Sequence, residues 1–262
     1  MSFLFEHWSE DEDLQDGLEY GREEKTTGQR AFNVHSDDRV SAITKKLFEA
    51  SVQENEKKMV VLAELCGEVL PKYPQEKEYY HSVWHIIDMC RKLDDYAQRV
   101  RVSADDWTTL FLAILFHDVV YKVGASDNED QSIVVAQRHL SVQPIKGVDV
   151  GEVCSLIEAT KVSHSEFRTE SEKIIHDLDW SGFLNYATMG YNEGLIRNEA
   201  ARDGFSDVEF YQGQLEFYQR ASEMDIYKTY LYADHNARAR RYILWRMDEL
   251  KRLISRNRTK KR

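Results

Sequence analysis

Four short stretches of the chain hold residue types that packing alone does not require. Tyr80-His81-Ser82-Val83-Trp84-His85 sets two imidazoles four positions apart, which a helix presents on one face. Such a pair suits one divalent metal, or one metal-bound imidazole with the other handling a proton. A surface pair or a satisfied core pair has the same spacing. Leu112-Ala113-Ile114-Leu115-Phe116-His117-Asp118 ends a strongly apolar run in an adjacent His and Asp. Burying those two is costly unless they bond each other or hold a cation. Neutral imidazole with carboxylate is a ligand set for first-row divalent metals. Ile175-His176-Asp177-Leu178-Asp179-Trp180 carries two further carboxylates in an apolar setting, where a helix surface and a cap is the competing reading. Thr160-Lys161-Val162-Ser163-His164 reads as a polar loop with a Lys, a His and hydroxyls, and alone it indicates almost nothing.

The elements that must position these residues read as helices. Apolar residues recur near the helical period over Val40–Glu68, and Pro71 and Pro74 then break the pattern. A helix over His81–Arg99 turns Val83, Ile86, Ile87, Cys90 and Leu93 inward. Ser103 before Asp105 and Asp106 marks a helix start, with the helix running through Trp107–Val120. Ser126 and Glu129 predict a capping box for a helix over Asp127–Leu140. Further helices are expected over Gly151–Thr160, Ser171–Phe183, Tyr186–Asp203, Val208–Met224 and Asp234–Ile254.

Composition narrows the function classes. The 262 residues include 35 Lys and Arg against 46 Asp and Glu, a formal net charge of −11. That balance argues against a coat for nucleic-acid phosphates, which needs a basic face. The hydrophobic share of 42% suits a globular core, and only three Pro and 12 Gly favour helices over a turn-rich β fold. Cys66, Cys90 and Cys154 form neither a disulfide framework nor a C-x-x-C pair. The start of the chain lacks a signal-peptide pattern. The longest apolar run, Leu110–Phe116, is far short of the roughly 20 residues of a membrane span. A cytoplasmic protein is expected. Residues 1–38 read as an acidic, disordered extension, 39–250 as one helical domain and 251–262 as a basic tail. The tail reads as a solvated helix end or as a nuclear or nucleic-acid address.

In order along the chain, these blocks resemble the HD-domain metal-dependent phosphohydrolase superfamily. The resemblance extends to a subgroup of predicted HD phosphohydrolases. It rests on Tyr80-His81 through His85-Ile86, Phe116-His117-Asp118-Val119-Val120-Tyr121 and Ser126-Asp127-Asn128-Glu129. Ala159-Thr160-Lys161 with His164, Asp177-Leu178-Asp179 and Ile196-Arg197-Asn198-Glu199 complete it. It covers roughly residues 65–250. Lys122, where the subgroup has Asp, and Trp180, where it has Leu, depart from it. The resemblance implies an all-α HD-type bundle with a metal site in its core. It implies His85, His117, Asp118 and Asp179 as metal ligands, with Asp177 competing for the last place. His81 resembles the general acid of related cyclic-nucleotide phosphodiesterases.

The expected activity is metal-dependent hydrolysis of a phosphate ester, on a nucleotide or a related small phosphorylated metabolite. Asp118 would serve as ligand and base, and His81 as acid. Lys161, His164 and Arg197 are candidates for holding phosphate, in competition with ordinary salt bridges. Asn128 and Glu129 are candidates for contacting substrate, in competition with helix capping. The ligand set admits Mn, Fe, Co, Ni, Zn or Mg, and a mixed N/O site open to water tilts toward Mn or another transition metal. Two other readings stand beside this one. One is a non-catalytic helical regulatory module that binds metal or nucleotide. The other is a two-iron oxygenase, for which His164 is the obvious spare ligand.

Overall fold

The structure, a computed structural model, describes residues 56–260. Among these residues there are nine α-helices, three short 3-10 turns and no strand. The helices are α1 (Glu56–Val69), α2 (Val83–Arg99), α3 (Ala104–Phe116), α4 (Asn128–Val142) and α5 (Val150–Glu158). They continue as α6 (Glu170–Asp179), α7 (Tyr186–Arg202), α8 (Asp207–Ser222) and α9 (Asn236–Lys260). The expected all-α class is the observed one. The expectation for residues 1–38 and the first part of the Val40–Glu68 helix fall outside the described residues.

Helix α3 is the axis of the first core. Every residue from Trp107 to Phe116 is buried. The chain has no charged residue between Asp106 and His117 that would turn a face to water. Fully burying side chains such as Phe111, Leu112, Ile114 and Phe116 contributes about 1.5–3 kcal/mol each. Ser103 caps α3 as expected, its hydroxyl accepting the Asp106 N–H. The helix stops at Phe116, short of the expected Val120, so His117 and Asp118 stand in the turn that leaves it.

Two starts differ from expectation. Helix α2 begins at Val83, and His81 lies in the turn before it. The His81 N–H is taken by Glu199, and the Val83 N–H by the Pro74 carbonyl. His81 and His85 therefore do not share a helix face. The Ser126 capping box does not form: α4 starts after Asp127, which makes no side-chain cap bond. A capping box does form at α6, between Thr169 and Glu172.

A second core joins Trp180 to α7, α8 and α9. Its buried Glu193 takes Arg246 of α9 in a bidentate pair and accepts the Tyr218 hydroxyl. Gly204, at φ 89°, ends α7 in a left-handed turn. The Phe205 N–H reaches the Ala200 carbonyl and the Gly204 N–H the Ala201 carbonyl, a Schellman closure. Helix α9 runs on to Lys260, into the basic stretch read from sequence as a solvated helix end or an address. Asp179 is the last residue of α6, where the first core gives way to the second. No described helix is long and apolar enough to cross a membrane.

Candidate metal centre

His85 sits in the first turn of α2, His117 at the exit of α3 and Asp179 at the end of α6. Their ligand atoms lie within 4.8 Å of one another, and the three form a group able to hold a metal ion. His85 Nε2 is 3.0 Å from Asp179 Oδ1 and 3.3 Å from His117 Nε2. Asp118 borders the group, with Oδ2 3.0 Å from His117 Nε2 and 3.9 Å from His85 Nε2.

The donor chemistry of this group fits a cation. His117 Nδ1 lies 2.9 Å from the Ile114 carbonyl, which only a protonated nitrogen can serve. In the neutral ring the Nε2 lone pair must then face His85 Nε2 and two carboxylates. A cluster of acceptors pointed at one centre needs a proton or a metal there. Without metal the proton takes the place. Burial alone would lower the His117 pKa, but the charges of Asp118 and Asp179 and the Asp118 hydrogen bond outweigh it and raise it to about 9. Asp118 is itself held well below the usual carboxylate range: burial opposes this, and His117 overcomes it.

The sign of the pH dependence follows. His117, with its raised folded pKa, stabilises the metal-stripped protein fully below about pH 6.5 and ceases to as pH climbs through 9. Asp118, with its lowered pKa, stabilises it above about pH 4 and ceases to as pH falls further. Metal must displace the His117 proton, so its affinity rises with pH toward 9. Melting curves of chelator-stripped and metal-loaded protein check this. The gap between the two melting temperatures should widen from pH 6 to pH 8.5. A constant gap would mean that no proton is displaced.

Of the two competing carboxylates, Asp179 belongs to the group and Asp177 does not. Asp177 is fully buried. Its oxygens accept the Lys228 N–H at 2.7 Å, the Thr229 N–H at 2.8 Å and the Thr229 hydroxyl at 2.6 Å. Burial raises its pKa to about 6 against the pull of those bonds. Asp177 thus ties α6 to the segment leading into α9. Asp177→Ala should retain metal but cost about 3 kcal/mol, since two buried donors of Thr229 and the part-buried Lys228 N–H lose their acceptor. Urea unfolding with a parallel metal assay tests the split; loss of metal at unchanged stability would make Asp177 a ligand.

His81 is brought beside the group from the turn before α2, its ring centroid 6.4 Å from that of His85. It stacks on Tyr121 with centroids 3.4 Å apart. Its Nδ1 lies 2.8 Å from Glu199 Oε2, and its backbone N–H donates to Glu199 Oε1 at 2.6 Å. Burial pushes the His81 pKa down, but the negative charges of Asp118 and Glu199 prevail and raise it above its ordinary value. Glu199, 1% exposed on α7, was missed by sequence reasoning. It stands in the quoted Ile196-Arg197-Asn198-Glu199 block, where Arg197 seemed the phosphate binder. No spacing rule links it to His81, 118 positions away. Tyr121 was missed for the same reason.

The remaining candidates have other partners. Lys161 bonds Asp130 and pairs with Glu158, both at 2.7 Å. Arg197 pairs with Asp207 on the surface at 2.7 Å. The Asn128 amide is buried and closes the loop before α4, accepting the Lys122 N–H and donating to the Lys122 carbonyl. These side chains have their hydrogen bonds committed within the fold, which explains their identities without a substrate. Glu129 is partly buried, and its pKa is raised by burial and further by the charges of Asp118 and Asp179. His164 lies outside the metal group. It lines a groove of about 560 Å³ with Ser163, Ser165 and Glu172. Its Nε2 is buried without a hydrogen-bond partner among the described residues.

No known protein-family pattern matches the chain, and no curated protein matches it in sequence.

Proposed function

We propose that this protein is a metal-dependent phosphohydrolase of the HD-domain type its sequence resembles, acting on a nucleotide or a similar small phosphorylated metabolite. The observation that carries the reading is the convergence of His85 Nε2, His117 Nε2 and Asp179 Oδ1, bordered by Asp118. Two imidazoles and a carboxylate leave coordination positions free for water and substrate. When bound, a divalent cation supplies charge for a phosphoryl oxygen and lowers the pKa of adjacent water. Manganese or another transition metal suits the mixed donor set better than magnesium.

The protein's own residues do the rest. Asp118, at the edge of the group, accepts a proton from the attacking water. His81 donates a proton to the leaving oxygen, with Glu199 holding its Nδ1 so that Nε2 is the transferring atom. Tyr121 fixes the ring plane by stacking. Glu129, whose carboxyl feels the charges of Asp118 and Asp179, would orient water or substrate. Lys161 and Arg197 already have their charge balanced, so phosphate recognition falls mainly to the cation and to His81.

A non-catalytic metal-binding module is the second reading, favoured by the same cluster if no turnover accompanies it. A two-iron oxygenase draws no support from His164, which is not in the group. The deciding experiment is a phosphomonoester and phosphodiester panel on purified protein loaded with several divalent metals, with metal content measured in parallel. Phosphate or nucleoside release that tracks metal content is expected. Bound metal with no release across the panel would overturn the hydrolase and leave the binding module. Two irons per chain with oxygen uptake would overturn both.

A further inference from the structure

Helix α6 delivers Asp179 from its last residue, the place where a helix is least held by its own hydrogen bonds. The carbonyls of a last turn lack partners within the helix, and such ends fray unless something outside binds them. A ligand carboxylate set there needs support from elsewhere in the fold. The segment Ile226–Thr229 runs between α8 and α9, outside any helix, yet Ile226, Tyr227 and Thr229 are buried. Its polar groups meet α6 ahead of Asp179 and beyond it. His176 Nε2 lies 3.0 Å from the Ile226 carbonyl, to which it can only donate. Asp177 accepts the Lys228 and Thr229 N–H groups and the Thr229 hydroxyl. Past Asp179, the Tyr227 hydroxyl donates to the Trp180 carbonyl at 3.2 Å. The segment is itself fixed from α9. There the Asn236 amide accepts the Tyr227 N–H at 2.8 Å and donates to the Tyr227 carbonyl at 3.0 Å.

We infer that Ile226–Thr229 is the positioning strap of the metal centre: by holding His176, Asp177 and Trp180 it keeps Asp179 Oδ1 beside His85 and His117. Its role rests on those three residues forming the cation site proposed for this protein. Helix geometry shows how the strap works. Successive residues turn by about 100°, so Asp177 and Asp179 project about 200° apart, on nearly opposite faces. The strap grips the helix on the Asp177 face and leaves the Asp179 face to the imidazoles. Tyr227 and Ile226 belong to the second core, so that core steadies a ligand that the first core presents. Partners standing behind metal ligands orient them, and loss of one costs metal affinity about 10–100-fold. The strap acts through the backbone of α6, one step further back, which points to the lower end of that range. Saturated protein still carries its metal, because the three ligands themselves remain.

Cobalt titration of the full chain tests the strap, read by the visible absorption band of bound Co²⁺ and by competition with a chelator. Tyr227→Phe keeps the buried ring and removes the bond to Trp180. Its Co²⁺ affinity should fall about tenfold, with a shifted band. Tyr218→Phe is the matched control. It also deletes a buried hydroxyl of the second core, but one that bonds Glu193, at 3.1 Å, rather than α6. This variant should bind Co²⁺ as the unaltered protein does. Thr229→Val takes the hydroxyl from Asp177 and leaves the Thr229 N–H in place, and it should weaken binding in the same direction as Tyr227→Phe. Should Tyr227→Phe fail to fold, Thr229→Val carries the test. Unchanged affinity in the folded strap variants would overturn the strap and leave the metal centre standing. An equal loss in Tyr218→Phe would overturn it too, by making the loss one of general stability. No Co²⁺ binding by the unaltered protein would overturn the metal centre itself, and the strap with it.

Discussion

His117→Ala should yield a folded, helical protein that no longer retains divalent metal and releases no phosphate. The size of the effect follows from where His117 stands. Its Nε2 lies 3.3 Å from His85 Nε2 and 3.0 Å from Asp118 Oδ2, between the two, so its removal opens the middle of the group. Loss of a ligand's supporting partner typically weakens metal affinity about 10–100-fold, and loss of the ligand itself costs more. The remaining His85 and Asp179 then bond each other at 3.0 Å as an ordinary pair. The fold survives because α3 is anchored by ten buried residues that the substitution does not touch. Asp118→Ala should behave alike in activity, while losing the counter-charge that holds His117 protonated. Metal content by elemental analysis, circular dichroism and the phosphate assay decide this together. Full metal content and full turnover in either variant would remove the basis of the proposed site.

His81→Ala should keep the metal and lose about 10²–10⁴-fold in kcat, the usual contribution of a positioned general acid. Glu199→Gln is the sharper variant. An amide can still accept one hydrogen bond, but it removes the charge beside Nδ1 and presents a donor there in one of its two orientations. The His81 pKa then falls toward its ordinary value, since Asp118 and Asp179 remain but the Glu199 charge that helps them outweigh burial is gone. The acid form is thereby lost at lower pH, so the alkaline limb of the kcat/KM profile should move downward by an amount the titration reads directly. A rate drop of about 10–100-fold at pH 8, shrinking at lower pH, is the expected pattern. A uniform drop at every pH would mean that Glu199 serves only packing. Loss of metal in either variant would make His81 a ligand.

Much of the fold was legible because its signals are local. The apolar run of α3, the Ser103 cap and the scarcity of Pro and Gly each act within a few residues of where they are read. The elements that moved did so under long-range competition. Helix α2 starts two residues later than its pattern implies, and both the His81 N–H and its ring are held by Glu199 of α7. The Ser126 capping box fails where the buried Asn128 amide closes the loop on Lys122 instead. Helix α9 continues past the expected boundary at Ile254 to Lys260.

The chemistry divides in the same way. Residue type and order along the chain marked His81, His85, His117, Asp118 and the Asp177/Asp179 pair as the places where charge meets apolar surroundings. That much is intrinsic, since burying an ionisable group beside Leu and Phe demands a partner wherever the chain folds. Only the tertiary structure decided which partner each one meets. Asp179 joins two imidazoles while Asp177, two positions away, is spent on Thr229 and Lys228. Lys161 and Arg197 find acids of their own, and Glu199 becomes the support of His81. Hydrogen bonds and ion pairs act over a few ångströms in space, and a linear spacing of 60 or 118 residues says nothing about that distance.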